Sequence, residues 1–212
     1  MASFGYSQFE KSVEFGFQAS PLIGFANITD SSKSDVEGLD TKARLGFSFG
    51  LVTNFRLADP VALSTGLHIV TRGFGYNENL SALNTNLDVT NNFTSINIPI
   101  LLRFRSPELG SSGMHIMGKF GGAAELNVQT KSTVSGQILG IDVNETTRDT
   151  DDINLFTFSF IPGAGVDWIQ DWGTVSGGVS YHWGLMNILD PDNNGQRNAR
   201  LSYVALDLGY FF

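Results

Sequence analysis

Apolar residues recur at every second position in about eight stretches of the chain, the mark of strands with unlike faces. In SVEFGFQASPLIGFA the apolar set is Val13, Phe15, Phe17, Ala19, Ile23 and Phe25. In RLGFSFGLVTNFRL it is Leu45, Phe47, Phe49, Leu51, Phe55 and Leu57, and in VALSTGLHIVTRG it is Val61, Leu63, Leu67 and Ile69. TSINIPILLRFR gives Ile96, Ile98, Ile100, Leu102 and Phe104; MHIMGKFGGAAELNVQ gives Met114, Ile116, Phe120, Ala124, Leu126 and Val128. LFTFSFIPGAGVDW gives Phe156, Phe158, Phe160, Val166 and Trp168, and TVSGGVSYHWGLM gives Val175, Val179, Tyr181, Trp183 and Leu185. The last stretch, LSYVALDLGYFF, carries Val204, Leu206, Leu208, Tyr210 and Phe212. No stretch shows a 3.6-residue period, so an all-β chain with little helix is expected.

The connections between these stretches alternate in length, at roughly 13, 3, 17, 8, 23, 4 and 12 residues. In an antiparallel array that order places all long loops at one end and all short turns at the other. Strands of about 12–15 residues follow, longer than the 9–11 that cross a bilayer at a tilt. An even number of strands leaves both termini at the short-turn end.

Alternation does not say which face meets solvent. The apolar faces together carry roughly forty large side chains, whereas an eight-stranded barrel is only just wide enough for its own interior side chains. The other face is rich in small residues, among them Gly16, Ser20, Gly46, Ser48, Gly50, Gly66, Gly165 and Gly178. Glycine weakens a water-facing strand but suits a crowded lumen. The same face carries charges of both signs: Glu14, Arg44, Arg56, Arg72, Arg103, Arg105, Lys119, Glu125, Asp167 and Asp207. Inside a closed barrel these can pair as a lumen network. On a lipid face each Arg or Lys would cost about 2–4 kcal/mol at mid-membrane. The apolar face is therefore expected to point outward into hydrocarbon. Aromatics near the strand ends, Phe55, Trp168, Trp172, Tyr210 and Phe212 on the short-turn side and Trp183 on the other, suit the two interfaces.

Composition narrows the picture. Charged residues make up 16% of the chain, below the roughly 25% usual for a soluble domain. A net charge of -8 offers no basic stripe for nucleic acid. There is no cysteine, hence no disulfide or thiolate metal site. The start, MASFGYSQFEK, lacks a basic region followed by an apolar stretch. Residues 1–11 are expected to be a disordered leader remnant, the native signal peptide being absent, and residues 12–212 a single barrel domain.

Several segments resemble small bacterial outer-membrane β-barrel proteins, and more narrowly the PorT-like outer membrane protein β-barrel family. They are INIPILLRFR (Ile96 to Arg105), MGKFGGAAELN (Met117 to Asn127), YHWGLMNI (Tyr181 to Ile188) and the terminal LDLGYFF. The resemblance implies an eight-stranded up-and-down antiparallel transmembrane β-barrel, with short periplasmic turns and long extracellular loops, in the outer membrane of a Gram-negative bacterium. It also implies lipid as a partner and recognition of the last strand by the barrel-assembly machinery, with Tyr210 and Phe212 where that signal is expected. A monomer is expected, with no cofactor. A role in secretion or envelope assembly is implied by the resemblance alone.

Candidate chemistry is sparse. Asp190, Asp192, Asn194 and Gly195 fit the start of a calcium loop, but its twelfth position is Leu201 where a bidentate Glu is needed. A plain Asx/Gly turn accounts for them equally well. His68, His115 and His182 share the inward face and could form a site with Asp167 or Glu125. The expected function is a structural or interaction role, with a plugged polar lumen and acidic outer loops around Asp149, Asp151 and Asp152. The alternatives are a soluble lipocalin-like barrel holding an apolar ligand, and a membrane-embedded hydrolase or acyltransferase.

Overall fold

The computed structural model describes residues 12–29, 40–80, 85–138, 141–147, 154–187 and 198–212. These form nine strands and, among the described residues, no helix: β1 Val13–Thr29, β2 Asp40–Ala58, β3 Val61–Leu80, β4 Thr85–Arg105, β5 Met114–Ile138, β6 Ile141–Thr147, β7 Phe156–Gln170, β8 Gly173–Gly184 and β9 Asn198–Phe211. All but β6 close into an eight-stranded antiparallel barrel, in which β4 pairs with β5 and β1 pairs with β9. The closure runs from Gly16 opposite Phe211 to Thr29 opposite Asn198, and the Phe212 N–H donates to the Phe15 carbonyl at 2.9 Å. A closed barrel satisfies every backbone group without an edge, which hydrocarbon requires.

The expected faces are seen. Phe15, Phe47, Phe49, Leu51, Leu67, Ile69, Ile98, Ile116, Phe158 and Leu206 are exposed, while Ser20, Ser48, Asn54, Ser64, Asn97 and Asp207 are buried. A soluble lipocalin-like barrel needs the opposite arrangement. The lumen is not only small and polar, however. Leu22, Val70, Tyr203 and Ala205 form one buried apolar cluster, and Leu101, Ala123 and Ile161 another. Phe211 also points inward, 2% exposed. Its room comes from Gly16, where an added Cβ would lie 2.5 Å from the Phe211 Cδ1 atom.

Besides bulges at Ala43/Phe47 and Thr94/Ser95, the wall ladders break at three interior places, each containing a proline. Paired positions stop at Ser20–Pro21 against Leu206–Asp207, at Gly66–Leu67 against Ile98–Pro99, and at Ile161–Pro162 against Tyr181–His182. Proline has no N–H to give a neighbouring strand. At the second break the Thr65 hydroxyl donates to the Pro99 carbonyl at 2.8 Å.

The lengths of the eight barrel strands depart from expectation, at 12 to 25 residues. The long connection expected between β3 and β4 is mostly strand, since pairing continues from Arg72 opposite Phe93 to Leu80 opposite Thr85. The cause is a change of polarity on the outward face. Up to Ile69, Ile96 and Val128 the outward positions are mostly apolar; beyond them come Thr71, Gly73 and Gly75 on β3, Thr94, Asn92 and Thr90 on β4, and Gln129, Lys131 and Thr133 on β5. Bulges between Ala43 and Phe47 on β2, and at Thr94/Ser95 against β5, lie at this boundary. Above it β6 adds to β5 on the edge that β7 leaves free beyond Leu126.

Candidate functional site

The inward side chains form three layers of paired charge. Nearest the long-loop end, the Arg72 guanidinium pairs with Glu125. Glu125, 2% exposed, also accepts from Asn97 Nδ2 at 3.1 Å and Ser159 Oγ at 3.0 Å. Arg72 lies over the Tyr203 ring at 5.4 Å, and His182 stacks on the same ring at 4.0 Å. In the middle layer Lys119 Nζ donates to Asp207 at 2.7 Å, joined by Ser20 Oγ at 2.8 Å and Gln18 Nε2 at 3.0 Å. Nearest the turns, Asp167 accepts from Arg103 and, at 2.7 Å, from Arg105, which also reaches Glu14 at 3.5 Å. Arg103 caps the Phe211 ring at 5.2 Å.

Four cations, Arg72, Arg103, Arg105 and Lys119, thus face four anions, Glu14, Glu125, Asp167 and Asp207. Each pair joins different strands, so the pairing and curvature of the wall are what assemble them. Arg44 lies outside these layers, exposed at the β2 bulge. Arg56 turns to Asp59 at 2.6 Å in the β2–β3 turn. Parity places the charged residues, but Tyr203 and Phe211, the aromatic plates under the two arginines, give no sequence signal beyond their alternation.

A cavity of about 30 Å³ lies between the upper and lower layers, lined among others by Gln18, His68, Pro99, Ile161, His182 and Asp207. It has room for roughly two waters, and the buried His68 Nε2 has no protein partner there. His68 and His182 share this cavity, and His115 lies apart from it. His182 Nε2 lies 3.3 Å from Ser180 Oγ, and His115 Nδ1 lies 2.9 Å from the Ser106 carbonyl. Among the described residues no group of three or more His, Cys, Asp or Glu is placed to hold a metal ion. The calcium candidates Asp190, Asp192 and Asn194 and the acidic Asp149, Asp151 and Asp152 lie outside the described residues.

Aromatics ring the short-turn end of the apolar belt. Trp168 meets Trp172 edge-on at 5.9 Å, and Trp172 stacks on Tyr210 at 5.9 Å. The Tyr210 hydroxyl donates to the Trp172 carbonyl at 2.8 Å, and Phe212 meets Phe17 at 6.2 Å. Phe55 is exposed at the same end, and Trp183 at the other.

The sequence matches the family model described as outer membrane protein beta-barrel domain over residues 5–190, most of the chain. The chain belongs to the outer membrane protein β-barrel domain family. Its place is the bacterial outer membrane, with the short turns periplasmic and the long-loop end extracellular. Solved structures of similar architecture include the outer membrane protein OprG from Pseudomonas aeruginosa, at 12% identity, 95% of this chain, 97% of that one and a TM-score of 0.48. Neisserial surface protein A is 14% identical over 93% and 97%, with a TM-score of 0.42. Ail, the attachment invasion locus protein of Yersinia pestis, solved with a heparin analogue, is 14% identical over 95% and 100%, with a TM-score of 0.38. Similarities this distant carry no functional meaning. No relative among curated proteins matches the chain.

Proposed function

We propose that this barrel is a non-conducting scaffold of the outer membrane that works through the surface it raises outside the membrane. The observation that carries the proposal is the layered pairing of charges across the lumen. Three layers of paired charge and two arginine-capped aromatic rings cross a lumen whose main cavity holds about two waters. A solute would have to break buried ion pairs, and leaving one partner unpaired costs about 3–5 kcal/mol. The narrower PorT-like resemblance adds a role in secretion or envelope assembly to this proposal, and the aromatic last strand adds recognition by the barrel-assembly machinery. A monomer in lipid is part of the same reading. Catalysis is not favoured: the Ser180 hydroxyl beside His182 is 1% exposed, beneath the Arg72–Glu125 layer.

Single-channel recording of the refolded protein in planar bilayers tests the plug. Insertion without discrete current steps is expected. Regular unitary steps from the unmodified protein would overturn the scaffold reading in favour of a pore.

A further inference from the structure

Where the outward face of the wall turns from apolar to polar, cations gather on one side of the barrel. Lys42 and Arg44 stand at the bulge of β2, Arg200 near the start of β9 and Lys131 on β5, and all four are exposed. Lys42 lies opposite Gly75 on the outward row, and Arg200 keeps the outward parity of Val204. In a chain of net charge -8 this is a local excess. The other cations with described side chains are the four of the lumen layers and Arg56 in the β2–β3 turn. The acids with described side chains lie in the lumen or in the periplasmic turns, while Asp40, Glu78 and Asp88 fall further out along β2, β3 and β4. Where β7 begins and β8 ends, Leu155, Phe156, Leu185 and Met186 are exposed instead.

Three of these cations flank one strand, since β1 pairs with β2 on one side and β9 on the other, with Gly24 opposite Arg44 and Asn27 opposite Arg200. β2 and β9 are thus about 10 Å apart across β1, a gap that long basic side chains can close around one phosphate. The outer wall beside them is apolar: Ile23 pairs with both Leu45 and Val204, Leu45 is 84% exposed, and the Phe25 ring stacks on Tyr181 at 6.1 Å. We propose that Lys42, Arg44 and Arg200 hold the phosphate headgroup of an outer-leaflet lipid across β1, with its acyl chains against Ile23, Leu45 and Val204. The level of the cations selects a lipid. They sit at the line where the outward face leaves hydrocarbon and headgroups lie, whereas a soluble partner would meet the strands further out. Guanidinium groups select phosphate, which they bind through two parallel hydrogen bonds, and the lysine adds a point charge. Lys131, opposite Asn92 on β5, lies well apart on the same line. The inference goes beyond the scaffold role, and it holds whether or not the lumen conducts.

The test reconstitutes the full chain in phosphatidylcholine bilayers and compares spin-labelled phosphatidic acid, stearate and phosphatidylcholine by the fraction of each that the protein immobilises. Phosphatidic acid is expected to be favoured over phosphatidylcholine about fivefold, the worth of one cation near an anionic surface, with stearate between them. Arg44→Gln/Arg200→Gln should lose the preference, and Lys131→Gln should keep most of it. An unchanged heat-dependent gel shift would confirm that each variant folds. No preference in the unmodified protein, a preference retained in the double variant, or one lost equally in Lys131→Gln would overturn the site. Stearate held as firmly as phosphatidic acid would overturn the assignment to phosphate. Current steps in planar bilayers bear on the scaffold reading alone.

Discussion

At the scale of single residues, Glu125 is the most exacting position in the lumen. It is buried, paired with Arg72, and takes further hydrogen bonds from Asn97 and Ser159. Glu125→Ala would leave Arg72 charged and unpaired, a loss of about 3–5 kcal/mol. Urea unfolding in lipid vesicles should show that loss, with Arg72→Met costing less and Arg72→Met/Glu125→Leu recovering most of it. If the double variant is no more stable than Glu125→Ala, the pair does more than neutralise itself. Period-two alternation along the sequence is enough to put both residues inside. It cannot reveal their pairing, because residues 53 apart meet only once β3 and β5 flank β4 in register. The same blindness hides Phe211: its parity points inward, but only the β1–β9 register brings Gly16 beneath its ring.

At the scale of the element, the proline breaks show how a strand can cross the wall without a complete ladder. Pro162 sits in the β7–β8 break, above which only the pairs Phe160–Trp183 and Ser159–Gly184 remain. Pro162→Val supplies the missing N–H and suits the outer face. It is expected to stabilise the barrel by about 0.5–1.5 kcal/mol, the net worth of one hydrogen bond, and to slow amide exchange at Tyr181, opposite position 162. Unchanged exchange would mean that the break is fixed by the register rather than by the proline. At this scale the eight strands of the barrel wall are legible in the sequence, because each keeps large side chains on one face across the membrane. The upper parts of β3, β4 and β5 are not. GYNENL and TNLDVTNNF are mostly Asn, Asp, Glu, Thr and Gly, so a search for apolar alternation takes these segments for loops. β6 escapes for the same reason, being short and lying beyond the belt.

At the scale of the whole molecule, the change of polarity on the outward face locates the outer edge of the membrane within the chain. The outward face of β3 changes character between Ile69 and Thr71, and that of β4 between Ile96 and Thr94. Each residue type follows its surroundings: hydrocarbon demands apolar side chains outside, and water permits them only on the sheltered face. One substitution made on both sides of this line should therefore have two different costs. Leu67→Arg, on the exposed belt between the turn at Pro60 and the boundary, places a cation near the bilayer midplane and should cost about 2–4 kcal/mol. Thr90→Arg occupies the outer face of the neighbouring strand beyond the boundary, and should change stability by less than about 0.5 kcal/mol. Reversible unfolding in bilayers measures both. In detergent, whose shell adapts to the protein, the gap between them should narrow. Equal costs in bilayers would place the whole β3–β4 hairpin in one medium, and the change of polarity would then need another cause. A large cost for Leu67→Arg alone would fix the boundary to within a few residues and leave about ten residues of each of β3, β4 and β5 standing in water, the part of the molecule that a partner can reach.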